Sequence, residues 1–177
     1  MPNWCWNNVE FTGEQKNVEN LYKLFEKTID MQEKTGRGQL LFGLDGSIDG
    51  YMFEISNLAQ GDNYLTLSFQ SRWSPIPNEI VRIAELFNLQ FEYDYEEGGM
   101  NLYGKYTFEY EDDEKEGVLY EQFASEEDVD SCRYKEEDDD PDDPDEMSGL
   151  NLEKLESIIE HNEMHGRSIT RIQEVAA

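Results

Sequence analysis

Leu89-Gln90-Phe91-Glu92-Tyr93-Asp94-Tyr95-Glu96-Glu97-Gly98-Gly99-Met100-Asn101-Leu102-Tyr103-Gly104-Lys105-Tyr106-Thr107-Phe108-Glu109-Tyr110 decides the fold. Leu89, Phe91, Tyr93 and Tyr95 alternate with polar residues, Gly98-Gly99 turns the chain, and Leu102, Gly104, Tyr106, Phe108 and Tyr110 alternate back. A period of two over this length is a half-buried strand pair, with apolar side chains on the core face and carboxylates on the other.

Upstream, the apolar period switches between two and about 3.6. Val9 and Phe11 mark a first strand over residues 7–12. Thr12-Gly13-Glu14-Gln15 reads as a capping box, and Val18, Leu21, Phe25 and Ile29 follow on one helical face. Tyr51, Phe53 and Ile55 alternate, as do Leu65, Leu67 and Phe69, with residues 57–63 as the turn between them. Ser74-Pro75-Ile76-Pro77 predicts a helix start, with Ile80, Ile83, Ala84 and Phe87 at helical spacing behind it. Downstream, residues 118–123 offer one more strand. The order β-α-β-β-α-β plus extra hairpin strands predicts an α+β, ferredoxin-like sandwich, two helices on one face of an antiparallel sheet. The fold name implies no iron–sulfur cluster, because Cys5 and Cys132 stand at opposite ends of the chain and form no CxxC pair. They read as two free thiols of a reducing compartment.

The sequence has 177 residues with 41 acids against 14 Lys and Arg, a formal charge of −27. Such a chain does not neutralise phosphates, which argues against direct nucleic-acid binding and against an anionic membrane surface. With no apolar run of spanning length and no signal-peptide pattern at its start, the protein is expected to be cytoplasmic. Residues 1–91 hold 12 acids and 7 bases, 92–125 hold 11 and 2, and 126–146 hold 13 and 2. The anomaly therefore begins at Glu92. Like charge and scarce apolar surface predict a disordered acidic linker over residues 125–147, behind a domain of residues 1–124. Residues 148–177 follow as an amphipathic helix and tail, with Leu152, Leu155, Ile158 and Ile159 on one face and Ile169, Ile172 and Val175 as a second, weaker helical stripe.

The opening Met1-Pro2-Asn3-Trp4-Cys5-Trp6-Asn7, with Val9 and Gly13, resembles that of the YubB-like family of phage and plasmid proteins. Phe69-Gln70-Ser71-Arg72-Trp73-Ser74-Pro75-Ile76-Pro77 and Tyr95-Glu96-Glu97-Gly98-Gly99-Met100 with Gly104 are similar to its second block. The resemblance covers residues 1–111, departs at residues 40–50, implies a ferredoxin-like domain of mobile-element origin, and brings no catalytic residues.

Other constellations weigh little. Asp45-Gly46-Ser47-Ile48-Asp49-Gly50 matches the first half of an EF-hand loop, but the position of the bidentate Glu is Ser56, so a Gly-rich turn is the better reading. His161 and His165 have zincin spacing, yet Asn162 stands where the zincin Glu belongs, so a solvated helix face is expected. Trp4, Trp6 and Trp73 could stack bases, but the outward carboxylates of the last hairpin would repel phosphate, so core and edge packing is the expected role. No catalytic residue, metal or cofactor is assigned.

The acidic hairpin is the informative feature. Glu92, Asp94 and Glu96 project from one strand face about 7 Å apart, the return strand adds Glu109 and Glu111, and Asp112, Asp113, Glu114 and Glu116 follow. Duplex DNA carries one charge per about 1.7 Å, so the charge of −14 on residues 1–125 matches roughly 24 Å of duplex on a domain about 35 Å across. The expectation is a non-enzymatic inhibitor of a host nucleic-acid-binding defence protein, presenting this face as a DNA mimic to a cationic groove. The terminal helix, through Leu152, Leu155, Ile158 and Ile159, is expected to anchor the partner or a second copy in a homodimer. The alternative is an adaptor or assembly module using the sheet and that helix, with its acidity incidental.

Overall fold

The computed structural model describes residues 3–36, 52–110, 116–133 and 150–170. Strand β1 (Trp4–Thr12) alternates strictly between exposed and buried side chains, Cys5, Asn7, Val9 and Phe11 pointing inward. Helix α1 (Gln15–Thr35) buries Val18, Leu21, Phe25 and Thr28 at spacings of three and four, and stops where Gly36 takes φ 63° and donates its N–H to the Gln32 carbonyl. The capping box expected at Thr12-Gly13-Glu14-Gln15 does not form. Thr12 is held in β1, and Glu14 caps with its backbone carbonyl, which accepts from Asn17 and Val18.

Strand β2 (Phe53–Gln60) runs further than the expected turn at residues 57–63 allows. Glu54 and Asn57 adopt φ 50° and 51°, and β2 slips against β3 (Tyr64–Arg72) twice, between Phe53 and Ser56 and between Ser56 and Ala59. Each slip is a bulge that inserts one residue, and together they destroy the period of two. The outer edge of β2 is closed by a side chain: Gln32 accepts from Ile55 N–H (3.0 Å) and donates back to the Ile55 carbonyl (3.4 Å), as a neighbouring strand would.

Helix α2 (Pro77–Phe87) opens with Pro77 and buries Ile80, Val81, Ile83 and Ala84. Strands β4 (Gln90–Glu97), β5 (Leu102–Tyr110), β6 (Glu116–Phe123) and β7 (His165–Thr170) complete a seven-stranded sheet of order β2-β3-β1-β4-β5-β6-β7, every pair antiparallel. The β2-β3-β1-β4 portion is the ferredoxin-like arrangement. The main core joins α1 and α2 to the inward side chains of β1, β3 and β4, with Phe108 stacked on Phe91 at 5.5 Å.

The C-terminal third departs from expectation. Residues 126–131, assigned from charge to a linker, form helix α3 (Glu126–Ser131), capped reciprocally by Ser125 and Asp128. Helix α4 (Leu152–His161) does not project outward. Leu155 and Ile159 are buried with Ala124, Val129, Cys132 and Leu150, and Leu152, Ile158 and Tyr103 pack around them. Expected as a partner anchor, this apolar face is thus consumed by a second core within the chain. Arg133 and Leu150 pair as an isolated antiparallel bridge, and residues 134–149 of the expected linker lie outside the described residues. Of the second stripe, Ile169 lies in strand β7 (His165–Thr170) and not in a helix, and Ile172 and Val175 lie outside the described residues.

Candidate functional site: the open face of the sheet

Helices α1 and α2 cover one face of the sheet, and the other is largely bare. Alternation places Glu92, Asp94 and Glu96 of β4 on the bare face, together with Glu109 of β5. Glu111, Asp112, Asp113 and Glu114 lie outside the described residues, as do Asp45-Gly46-Ser47-Ile48-Asp49-Gly50. Glu116 opens β6, and its side chain is likewise undescribed. The strand register interrupts the carboxylates: Lys105 pairs with Asp94 across the ladder, and Thr107 with Glu92. The Lys105 ammonium reaches Glu92 at 2.6 Å.

Sequence reasoning missed the second wall. Glu156 and Glu160 of α4 flank the buried Leu155 and Ile159 and face Asp94 and Glu96 across a groove of about 540 Å³. The overhang of α4 strips hydration from the strand carboxylates although they remain open to solvent. Desolvation first, then the charges of Glu92, Glu156 and Glu160, raise Asp94 above the ordinary 3.8 against the pull of Lys105. Desolvation and Glu156 raise Glu96 above 4.5. A carboxyl whose folded pKa is raised favours the fold when protonated, and that contribution is lost as pH rises through the folded value. Glu96→Gln is therefore expected to raise the melting temperature at pH 7, the gain shrinking to nothing as pH falls below 4.5. A gain that persists unchanged at acid pH would assign it to some other cause.

The tryptophans are not core residues. Trp4 meets Phe53 edge-on at 5.2 Å, with the Arg72 guanidinium over the other ring at 4.9 Å, while Trp6 and Trp73 are 52% and 49% exposed. The two histidines do not share a helix, because α4 ends at His161 and His165 begins β7. Among the described residues, no three His, Cys, Asp or Glu gather as metal ligands, and no helix is long and apolar enough to cross a membrane.

The residues of the two sequence blocks meet at one end of the sheet as a buried polar network. Asn7 donates through Nδ2 to the Cys5 and Phe69 carbonyls (2.7 and 3.3 Å) and to Ser71 Oγ (3.0 Å). Its Oδ1 accepts the Tyr93 hydroxyl at 2.6 Å, which in turn accepts Ile76 N–H at 2.9 Å. Ser71 donates to the Ser74 carbonyl (2.7 Å), and Trp73, at φ 68°, donates its N–H to Asn3 (3.0 Å). Glu97, 2% exposed, folds back to accept the N–H groups of Gly99 (3.2 Å) and Met100 (2.6 Å). These residues splice β1, β3 and β4 together, which is a structural task.

Cys5 sits in that network without a chemical role. Burial pushes its thiol up to about 12, so at neutral pH it holds almost no thiolate. Cys132 is buried in the second core. Both are expected to resist iodoacetamide at pH 8 in the folded protein and to alkylate within minutes in denaturant, as mass spectrometry would record; rapid labelling of native Cys5 would contradict its placement.

No curated protein matches the chain, and no solved structure does. A family model described as a ferredoxin-like domain in Api92-like protein matches residues 51–142, from the approach to β2 through α3 and into the acidic run. The matched span is more than half of the sequence and includes strands β2 to β6 of the sheet, so the chain belongs to this ferredoxin-like family.

Proposed function

We propose that the protein is a non-enzymatic binding protein, carried by a phage or plasmid, that engages a host nucleic-acid-binding protein through the open face of its sheet and blocks the cationic groove of that target. One observation carries this reading: Glu92, Asp94, Glu96 and Glu109 stand on the face that α1 and α2 leave bare, with Glu156 and Glu160 opposite. Among the described strand residues of that face, two cations accompany them. Lys105 is tied to Glu92, and Arg72 lies over Phe53. A fixed array of carboxylates steers a basic partner over a Debye length and supplies register on contact. The resemblance of the opening and second blocks supports the mobile-element origin.

The adaptor alternative loses one of its two surfaces, since Leu155 and Ile159 are buried within the chain. The discriminating experiment is capture from a bacterial lysate by the immobilised full chain. A nucleic-acid-binding protein is expected, released by added salt and by competing duplex DNA, and lost with Glu92→Gln, Asp94→Asn, Glu96→Gln and Glu109→Gln combined. A partner retained by that variant, or indifferent to salt, would favour the adaptor.

A further inference from the structure

Residues paired across antiparallel strands stand side by side on one face, so the bare face is ordered in rows. One row runs Ser56, Ser68, Asn8, Asp94, Lys105 and Gln122, from β2 to β6. Beside it run Gln70, Trp6, Glu96 and Tyr103. These rows floor the groove, and α4 walls it. From Ser56 to Lys105 there are four strand gaps, roughly 19 Å at ordinary spacing, which is the length of about six extended residues. A groove of about 540 Å³ accommodates a chain segment and its side chains, not a folded surface.

Its two ends differ chemically. At the β2 end, Asn57 donates to Ser68 Oγ (3.2 Å) and Ser68 donates to Asn8 Oδ1 (2.7 Å), a neutral chain of satisfied groups. At the α4 end, Asp94, Glu96, Glu156 and Glu160 face one another, and Lys105, the cation among them, is already engaged by Glu92. The half-exposed indole of Trp6 stands between Gln70 and Glu96 in its row. An aromatic face next to carboxylates suits a planar, weakly hydrated cation that stacks and donates from its edge at once, as a guanidinium does and an ammonium does not.

We infer that the groove takes an extended, arginine-bearing segment of a partner protein, with a guanidinium stacked on Trp6 and paired with the carboxylates of β4 and α4. The inference rests on the reading above for one point, that the partner is cationic, and specifies the part of it that is held: a tail or loop, not a folded basic surface. The net negative end of the groove and its fit to a short segment are what charge complementarity requires of such a site.

The test is calorimetric titration of the full-length protein with a capped Gly-Ser peptide carrying two arginines, and with its lysine counterpart. The arginine peptide is expected to bind at low salt and the lysine peptide roughly fivefold more weakly. Trp6→Ala is expected to weaken the arginine peptide roughly tenfold, and so is Glu156→Gln with Glu160→Gln, two exposed positions whose change leaves the helix intact, whereas Glu26→Gln, exposed on α1 away from the groove, changes nothing. Absence of binding, equal affinity for both peptides, or indifference to the α4 pair would each overturn the inference. Salt-sensitive lysate capture with no peptide binding would overturn the groove and leave the proposed function standing. Peptide binding with salt-indifferent capture would do the reverse.

Discussion

Asn7→Leu is expected to lower the unfolding free energy by about 3–5 kcal/mol, among the largest effects open to a single change in this chain. Leucine keeps the number and branching of the heavy atoms but loses every polar one, so the loss is chiefly one of hydrogen bonding. Asn7 is 1% exposed, and its removal takes a donor from the Cys5 and Phe69 carbonyls and from Ser71 Oγ and the acceptor from the Tyr93 hydroxyl, all in buried residues. A buried polar group left without its partner costs about 1–3 kcal/mol, and the four losses overlap because one relaxation can relieve two of them. Tyr93→Phe deletes a single group and should cost about 1–2 kcal/mol. Urea midpoints at constant slope read both. A loss below about 1 kcal/mol for Asn7→Leu would mean that water or rearrangement replaces the network.

Gly104→Ala is expected to cost about 2–3 kcal/mol for a different reason, overpacking. A Cβ on Gly104 would stand 2.6 Å from the Gln122 carbonyl oxygen and 2.6 Å from Tyr95 Cζ, besides meeting the Tyr95 hydroxyl. The carbonyl belongs to the β5–β6 ladder and cannot retreat without breaking it. The Tyr95 ring cannot swing aside either, stacked as it is on Tyr106 at 5.3 Å. Gly98→Ala is the control: its nearest neighbour would be the Tyr103 hydroxyl at 3.5 Å, ordinary contact, so its melting temperature should stay close to that of the parent. Equal melting temperatures for Gly104→Ala and the parent would show that the ladder gives way more easily than its hydrogen bonds suggest.

Where local periodicity and tertiary packing agree, the sequence is readable. The β4–β5 hairpin, the buried faces of α1 and α2, and the order of the first four strands all follow from spacing. Strand β2 fails the same reading because Glu54 and Asn57 take left-handed backbone, so the side-chain period breaks where no glycine advertises it. Helix α3 was hidden by composition: Val129 and Cys132 are three residues apart in a run of acids, and their burial depends on α4 arriving from beyond that run. The acidic stripe of β4 was legible as a stripe, whereas its opposing wall was not. The spacing of Glu156 and Glu160 puts them on one helical face, but nothing local says what that face looks at. The Asn7 network was hidden for the opposite reason, since its members are single polar residues from three distant segments with no period at all.

The central position of β1 sets the order of events as the chain leaves the ribosome. Of the seven described strands it is made first, yet both of its neighbours come late: Asn7 waits 62 residues for Phe69 and 86 for Tyr93. Until β4 emerges, β1 has β3 on one edge and nothing on the other, and the inward-facing Asn7 lacks the Tyr93 hydroxyl that its Oδ1 accepts. A nascent chain halted before β4 therefore owns most of the residues of the core and one of the two strands that flank β1. The sheet closes around β1 only when β4 arrives.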